Sequence, residues 1–164
     1  MNVYDRFIKV QAIILDIDGV CTDNRILVTD HGEFLRSMNV KDGYAIKKAI
    51  HAGIKMAIIS GGRSNGTRLR FELLGIKDIH LGIEHKYPSL VEILRQWNIS
   101  ADNTAYMGDD IPDLEVMSKV GLAACPADSA PEILKIANYI SPLNGGNACV
   151  RDLIEKVLQA QGKW

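Results

Sequence analysis

No stretch of the 164-residue chain approaches the roughly 18 consecutive apolar residues that a membrane-spanning helix needs, so no membrane association is expected. The opening MNVYDRFIKV carries Asp5 and has no h-region, which argues against a secretory signal. Positive charge is not in excess either. Lys+Arg 19 against Asp+Glu 20 leaves a net charge of −1, which speaks against a general nucleic-acid binder. The cysteines are few and badly placed for pairing: Cys21, Cys125 and Cys149 are odd in number, widely spaced and form no CxxC pair. Neither a disulfide framework nor a zinc site is expected, and free thiols in a reducing cytoplasm fit better. Repeats, low-complexity tracts and linkers are absent as well, so residues 1–164 are expected to form a single domain around one core.

What is present is a rhythm. Short continuous apolar runs, the pattern of strands buried on both faces, occur at 10–15, 55–59, 79–81, 104–107 and 121–123, with a shorter one at 138–140. Helical patterns fill the gaps at 43–52, at 64–74 between the N-cap Ser64 and Gly75, at 86–97 and at 147–160. Alternation of this kind implies right-handed crossovers, and therefore a doubly wound, Rossmann-like α/β fold with a parallel sheet. One segment breaks the pattern. Residues 25–38 read as two β-prone runs around Asp30-His31-Gly32, a projecting hairpin with apolar groups on both faces. An isolated hairpin cannot cover such faces itself, so contact with another subunit is expected.

In an open parallel sheet, ligands bind beyond the carboxyl ends of the strands, near the point where strand order reverses. Asp16-Ile17-Asp18-Gly19 follows the first run, Ser60-Gly61-Gly62-Arg63 the second, Glu84-His85-Lys86 the third and Gly108-Asp109-Asp110 the fourth. Taken singly, each is ordinary: a strand-end Asp is usually a cap, and a Gly-Gly step is usually a turn. Together they converge on one edge. Carboxylates crowded in one cleft repel unless a cation sits among them, and without accompanying His or Cys the suitable ion is hard, such as Mg²⁺. A metal, a hydroxyl and an ammonium would cradle a phosphoryl group. An Asp beside that group can attack phosphorus, and a carboxyl two residues on can protonate the leaving oxygen.

The segment Asp16-Ile17-Asp18-Gly19-Val20-Cys21-Thr22-Asp23 resembles the DxDGxxTD first motif of the haloacid dehalogenase superfamily. Ser60, Lys86 and Gly108-Asp109-Asp110-x-x-Asp113 stand at its second, third and fourth motifs. From about residue 10 to residue 163 the chain is similar to the capless branch that hydrolyses 3-deoxy-D-manno-octulosonate 8-phosphate (KDO 8-phosphate), including Asn39-Val40-Lys41-Asp42-Gly43-Tyr44. The resemblance implies an HAD-like fold without a cap domain and a Mg²⁺-dependent phosphatase of lipopolysaccharide precursor synthesis. Asp16 would then be nucleophile and metal ligand. Asp18 would be the general acid/base and a ligand through its main-chain carbonyl, and Asp109 would complete the metal's protein ligands. Ser60 and Lys86 would hold the phosphoryl group, with Asp110 and Asp113 supporting the site. Substrate contacts would fall on Asp18, Asn39, Val40, Lys41, Asp42, Gly43, Gly61, Arg63, Arg70 and Lys86. The resemblance further implies a homotetramer through the 25–38 hairpin, with the C-terminal tail able to approach a neighbouring active site.

Two positions depart from the branch pattern. Gly62 intervenes before Arg63 where an arginine often follows Ser-Gly directly, and Gly145-Gly146-Asn147-Ala148 stands where Gly-Gly-Arg-Gly is common. Both bear on the sugar acid, so a 9-phosphorylated nonulosonate is the alternative substrate. The rival of another class is a non-catalytic assembly module, which would be free to lose Asp16, Asp18, Lys86 or Asp109; the chain keeps all four.

Overall fold

The computed structural model describes residues 2–164. A short helix, α1 (Val3–Lys9), leads into β1 (Ala12–Leu15), whose four residues are all buried. The hairpin strands β2 (Leu27–Val28) and β3 (Phe34–Leu35) form a separate two-stranded antiparallel ribbon. The chain then alternates through α2 (Val40–His51), β4 (Lys55–Ser60), α3 (Asn65–Leu73), β5 (Asp78–Leu81), α4 (Lys86–Trp97) and β6 (Thr104–Met107). It finishes with α5 (Leu114–Met117), β7 (Leu122–Cys125), α6 (Pro131–Ile136), β8 (Tyr139–Ile140) and α7 (Cys149–Ala160).

The main sheet has six strands in the order β5-β4-β1-β6-β7-β8, and every adjacent pair is parallel. The chain builds outward from β1 to one side and then returns to β6 on the other, so the reversal of strand order lies between β1 and β6. Alternation along β1 feeds two cores. Ile13 and Leu15 pack with Phe7, Ile46, Phe71, Leu153 and Ile154 on the face covered by α1, α2, α3 and α7. Ile14 packs with Leu90, Ile93, Tyr106 and Val116 on the face covered by α4, α5 and α6. Burial on both faces is the reason these strands read as continuous rather than alternating runs.

The caps explain most helix limits. Asn39 accepts from Lys41 N at 2.9 Å, which starts α2 at Val40, three residues before the expected 43. Ser64 accepts from Thr67 N at 3.3 Å and starts α3 as the sequence indicates. Three helices lie outside the four helical patterns of the sequence, α1, α5 and α6, because each is shorter than the window over which periodicity is legible. The hairpin is also briefer than expected, with two residues per strand, and Ile26, Leu27, Val28, Phe34 and Leu35 are all exposed.

Candidate active site

Asp16 continues β1 by one ladder bond, its N–H donating to Met107 O at 3.0 Å, and then the chain turns sharply. The N–H groups of Val20, Cys21 and Thr22 all converge on the Ile17 carbonyl, at 3.2, 2.8 and 3.1 Å. Two thiols anchor the turn from behind: Cys21 donates to Asp16 O at 3.3 Å and Cys149 to Val20 O at 3.1 Å. Burial pushes both thiols well above their ordinary pKa, so they serve as packing groups rather than nucleophiles.

The turn opens onto a cavity of about 450 Å³ lined by Asp16, Asp18, Asn24, Ser60, Gly61, Lys86, Asp109, Asp110 and Asp113, together with Gly62, Ile83, Glu84 and Pro112. All four strand-end clusters meet there. Lys86, the first residue of α4, is 5% exposed despite its charge. Its ammonium donates to Asp113 Oδ1 at 2.7 Å and lies 3.1 Å from Asp16 Oδ1. Burial alone would lower its pKa, but the carboxylates of Asp16 and Asp113 more than offset that and hold the cation charged.

Asp113 organises the acids around it. Its Oδ1 also accepts from the buried Tyr106 hydroxyl at 2.6 Å, while Oδ2 accepts from Asp109 N at 3.1 Å. Asp110 and Asp113 form a capping box on the short 3₁₀ turn Ile111–Asp113. Asp109 is held against Gly19, where a Cβ would sit 1.9 Å from Asp109 Oδ2; with φ +90 as well, glycine is the residue this approach requires. Asn24 Nδ2 donates to the same Oδ2 at 3.4 Å.

Of the buried carboxylate oxygens facing this space, Asp109 Oδ1 has no hydrogen-bond partner and Asp16 Oδ1 has only the ion-pair contact with Lys86. Asp16, Asp109 and Asp113 each offer an oxygen within 4.8 Å of the others. Because both Asp113 oxygens already accept from donors, the open positions belong to Asp16 and Asp109. An all-oxygen donor set with an orphaned buried carboxylate oxygen suits a hard divalent cation such as Mg²⁺. Crowding shows in the titration of these groups. Burial first, then Asp113, raises Asp16 from 3.8 to about 6 against the pull of Lys86. Burial, then Asp16, Asp113 and Asp110, raises Asp109 to about 8.

A carboxylate whose folded pKa is raised favours the fold while protonated, and that contribution is lost as pH climbs through the folded value. Metal-free protein is therefore expected to lose thermal stability from about pH 4 to pH 8, between the ordinary carboxylate value and the raised values of Asp16 and Asp109. Mg²⁺ should restore it most at the alkaline end, where protons no longer compete for the ligands. Unfolding scans in EDTA and in Mg²⁺ across that range check this. A Mg²⁺-induced gain equal at the two ends would contradict it.

Other expected contacts lie elsewhere. Asn39 is consumed structurally, capping α2 and donating from Nδ2 to Gly146 O at 3.2 Å. Val40 and Lys41 are exposed on the first turn of α2, outside the acidic cavity. Asp42 is buried and accepts from Arg151 N at 2.8 Å, capping α7, whose own N-cap Ala148 has no acceptor side chain. Burial raises Asp42 to about 6. Gly43 serves to let Arg70 cross α2, since a Cβ there would sit 2.6 Å from Arg70 Nη2. Within one chain, then, Asn39–Gly43 are cap and packing residues outside the lining of the acidic cavity, with the start of α2 tied to Gly146 and to α7. Arg63 is exposed and lies over Gly82, and Arg70 lines a second cavity of about 480 Å³ with Arg36, Ser64 and Thr67. The sequence reading overlooked Asn24, Tyr106 and Arg36. Arg36 donates to both Asp18 oxygens, from Nε at 2.6 Å and Nη2 at 2.9 Å.

Comparison with known proteins agrees with this geometry. The family model of haloacid dehalogenase-like hydrolases matches residues 75–152. The chain is 38% identical over 155 residues to the 3-deoxy-D-manno-octulosonate 8-phosphate phosphatase KdsC of Escherichia coli, covering 94% of this chain and 82% of that protein. The crystal structure of the phosphatase of that name from Yersinia pestis superimposes with a TM-score of 0.96 at 36% identity, covering 98% of this chain and 87% of the other. The Moraxella catarrhalis phosphatase, solved in complex with magnesium ion, phosphate ion and KDO, gives a TM-score of 0.94 at 30% identity, with 97% and 91% covered.

Proposed function

Since the chain belongs to the 3-deoxy-D-manno-octulosonate 8-phosphate phosphatase family of haloacid dehalogenase-like hydrolases, we propose that it hydrolyses KDO 8-phosphate to KDO and phosphate. The observation that carries the reading is the buried triad in which Lys86 lies between Asp16 and Asp113 at the end of β1, beside the unpartnered Oδ1 of Asp109.

Asp16, Asp109 and the Asp18 main-chain carbonyl would hold Mg²⁺. When bound, the ion offsets the charge of the phosphoryl group against that of the carboxylates. Ser60 and Lys86 orient the phosphoryl oxygens. An Asp16 carboxylate oxygen attacks phosphorus, the bond from phosphorus to the sugar oxygen breaks, and Asp18 delivers its proton to that oxygen. Water then attacks the aspartyl-phosphate and gives a proton to Asp18, which frees Asp16 and releases phosphate. Lys86 keeps the resting Asp16 anionic and competent to attack.

The test is phosphate release from KDO 8-phosphate and from a 9-phosphorylated nonulosonate, each with Mg²⁺ and with EDTA. Metal-dependent turnover favouring the eight-carbon ester is expected. Preference for the nine-carbon ester would keep the chemistry and change the substrate, and no turnover by folded protein would leave an assembly module.

The exposed apolar hairpin supports a homotetramer in which Leu27, Val28, Phe34 and Leu35 are covered by further copies of the chain. Replacing Leu27 and Phe34 together by glutamate is expected to reduce the mass seen by light scattering to that of smaller species and to lower activity on the sugar ester. Full activity in a monomeric variant would show that neighbouring chains contribute nothing to the pocket.

A further inference from the structure

Arg36 follows β3 at the root of the hairpin, and from the second cavity its side chain reaches the carboxylate of Asp18, which lines the acidic one. Its guanidinium meets Asp18 as a fork, Nε to Oδ1 at 2.6 Å and Nη2 to Oδ2 at 2.9 Å, while Nη1 donates to Phe34 O at 3.1 Å. The arginine side chain is 8% exposed and that of Asp18 is 29% exposed. Among the described residues no other hydrogen bond reaches the Asp18 carboxylate. The room for the fork comes from Gly62: a Cβ there would stand 3.0 Å from Arg36 Nη2 and 3.1 Å from Asp18 Oδ2.

We propose that Arg36 is a positioning residue for the reaction, holding the Asp18 carboxyl group where it delivers its proton to the leaving oxygen. The inference rests on the acid/base role of Asp18 given above. Without the fork, a half-exposed carboxyl at a strand end is free to rotate into solvent, and a misplacement of about 1 Å is enough to cost on the order of 100-fold. Two parallel bonds from one planar guanidinium fix both the position and the rotation of the carboxyl group, which a single bond would not.

The experiment compares kcat/KM for KDO 8-phosphate with that for para-nitrophenyl phosphate, whose phenolate leaves without needing a proton. Arg36→Met is expected to lose about 10- to 100-fold on the sugar ester and less than about threefold on the aryl ester. Arg36→Lys should recover part of the loss, since it restores charge without the fork. Gly62→Ala, which presses on the pair from the other side, should shift the ratio the same way and serves if the hairpin variant fails to fold. Equal losses on the two esters, or an unchanged sugar-ester rate, would overturn the role of Arg36. Asp18→Asn run in parallel separates the two assignments. If it loses equally on both esters, the acid role of Asp18 falls and Arg36 with it; if it discriminates and Arg36→Met does not, only Arg36 falls.

Discussion

Asp16→Asn is expected to yield a folded protein that releases no phosphate from any ester, with turnover reduced by at least about 10⁴-fold. The amide matches the carboxylate in shape but is a poor nucleophile. Lys86 keeps its shorter contact, 2.7 Å to Asp113, so the buried cation is not orphaned. Removing one of three crowded acids also relieves repulsion on Asp109, which burial and Asp16 hold at about 8. Metal-free variant should therefore melt at or above the wild-type temperature at alkaline pH. The combination is diagnostic, because a variant that had lost activity through misfolding would melt lower. Activity above about 1% of wild type would remove Asp16 from the nucleophilic role.

The second large effect belongs to a residue that never meets substrate in this scheme. Asp113→Ala is expected to destabilise the fold by about 3 kcal/mol and to weaken Mg²⁺ binding by about 10- to 100-fold. One carboxylate accepts from the Lys86 ammonium, the Tyr106 hydroxyl and the Asp109 main-chain N–H. Truncation strands the first two in a dry interior, since Tyr106 is 0% exposed and Lys86 5%. Loss of a negative charge eases Asp16 and Asp109, yet that gain is smaller where Mg²⁺ already neutralises them, so the variant should suffer more in metal than in EDTA. Urea unfolding and calorimetric Mg²⁺ titration measure the two effects. A fold within about 1 kcal/mol of wild type would show that Asp113 is not the hub of the site.

Much of this was written where sequence patterns are strongest. The strand at 104–107 is legible because Thr104, Ala105, Tyr106 and Met107 are buried on both faces, and the limits of α3 because Ser64 and Gly75 are local signals. The acids at 16, 18, 109 and 110 were legible as strand ends, a position that a parallel sheet assigns to ligands. Long-range pairing was not. Asp18 and Arg36 are joined by a ribbon whose path no periodicity describes, and Tyr106 looks like any aromatic of a core strand until its hydroxyl is placed on Asp113. Asn39 and Asp42, expected as substrate contacts, are both helix caps within the chain. For Asn39 the capping position before Val40 was a usable cue; for Asp42 it was not, because the helix it caps begins about a hundred residues later.

The strand order has a consequence for how the chain comes into being. β1 is made early, but one of its two neighbours, β6, ends at Met107, and the residues that complete the acidic cluster follow it. A chain still emerging from the ribosome thus carries Asp16 and Asp18 on an unsatisfied strand edge for most of its synthesis. Neither the metal ligands nor the buried lysine has its partners until the second half is threaded alongside the first. Assembly of the catalytic centre therefore depends on the same late-made segment that supplies the second neighbour of β1.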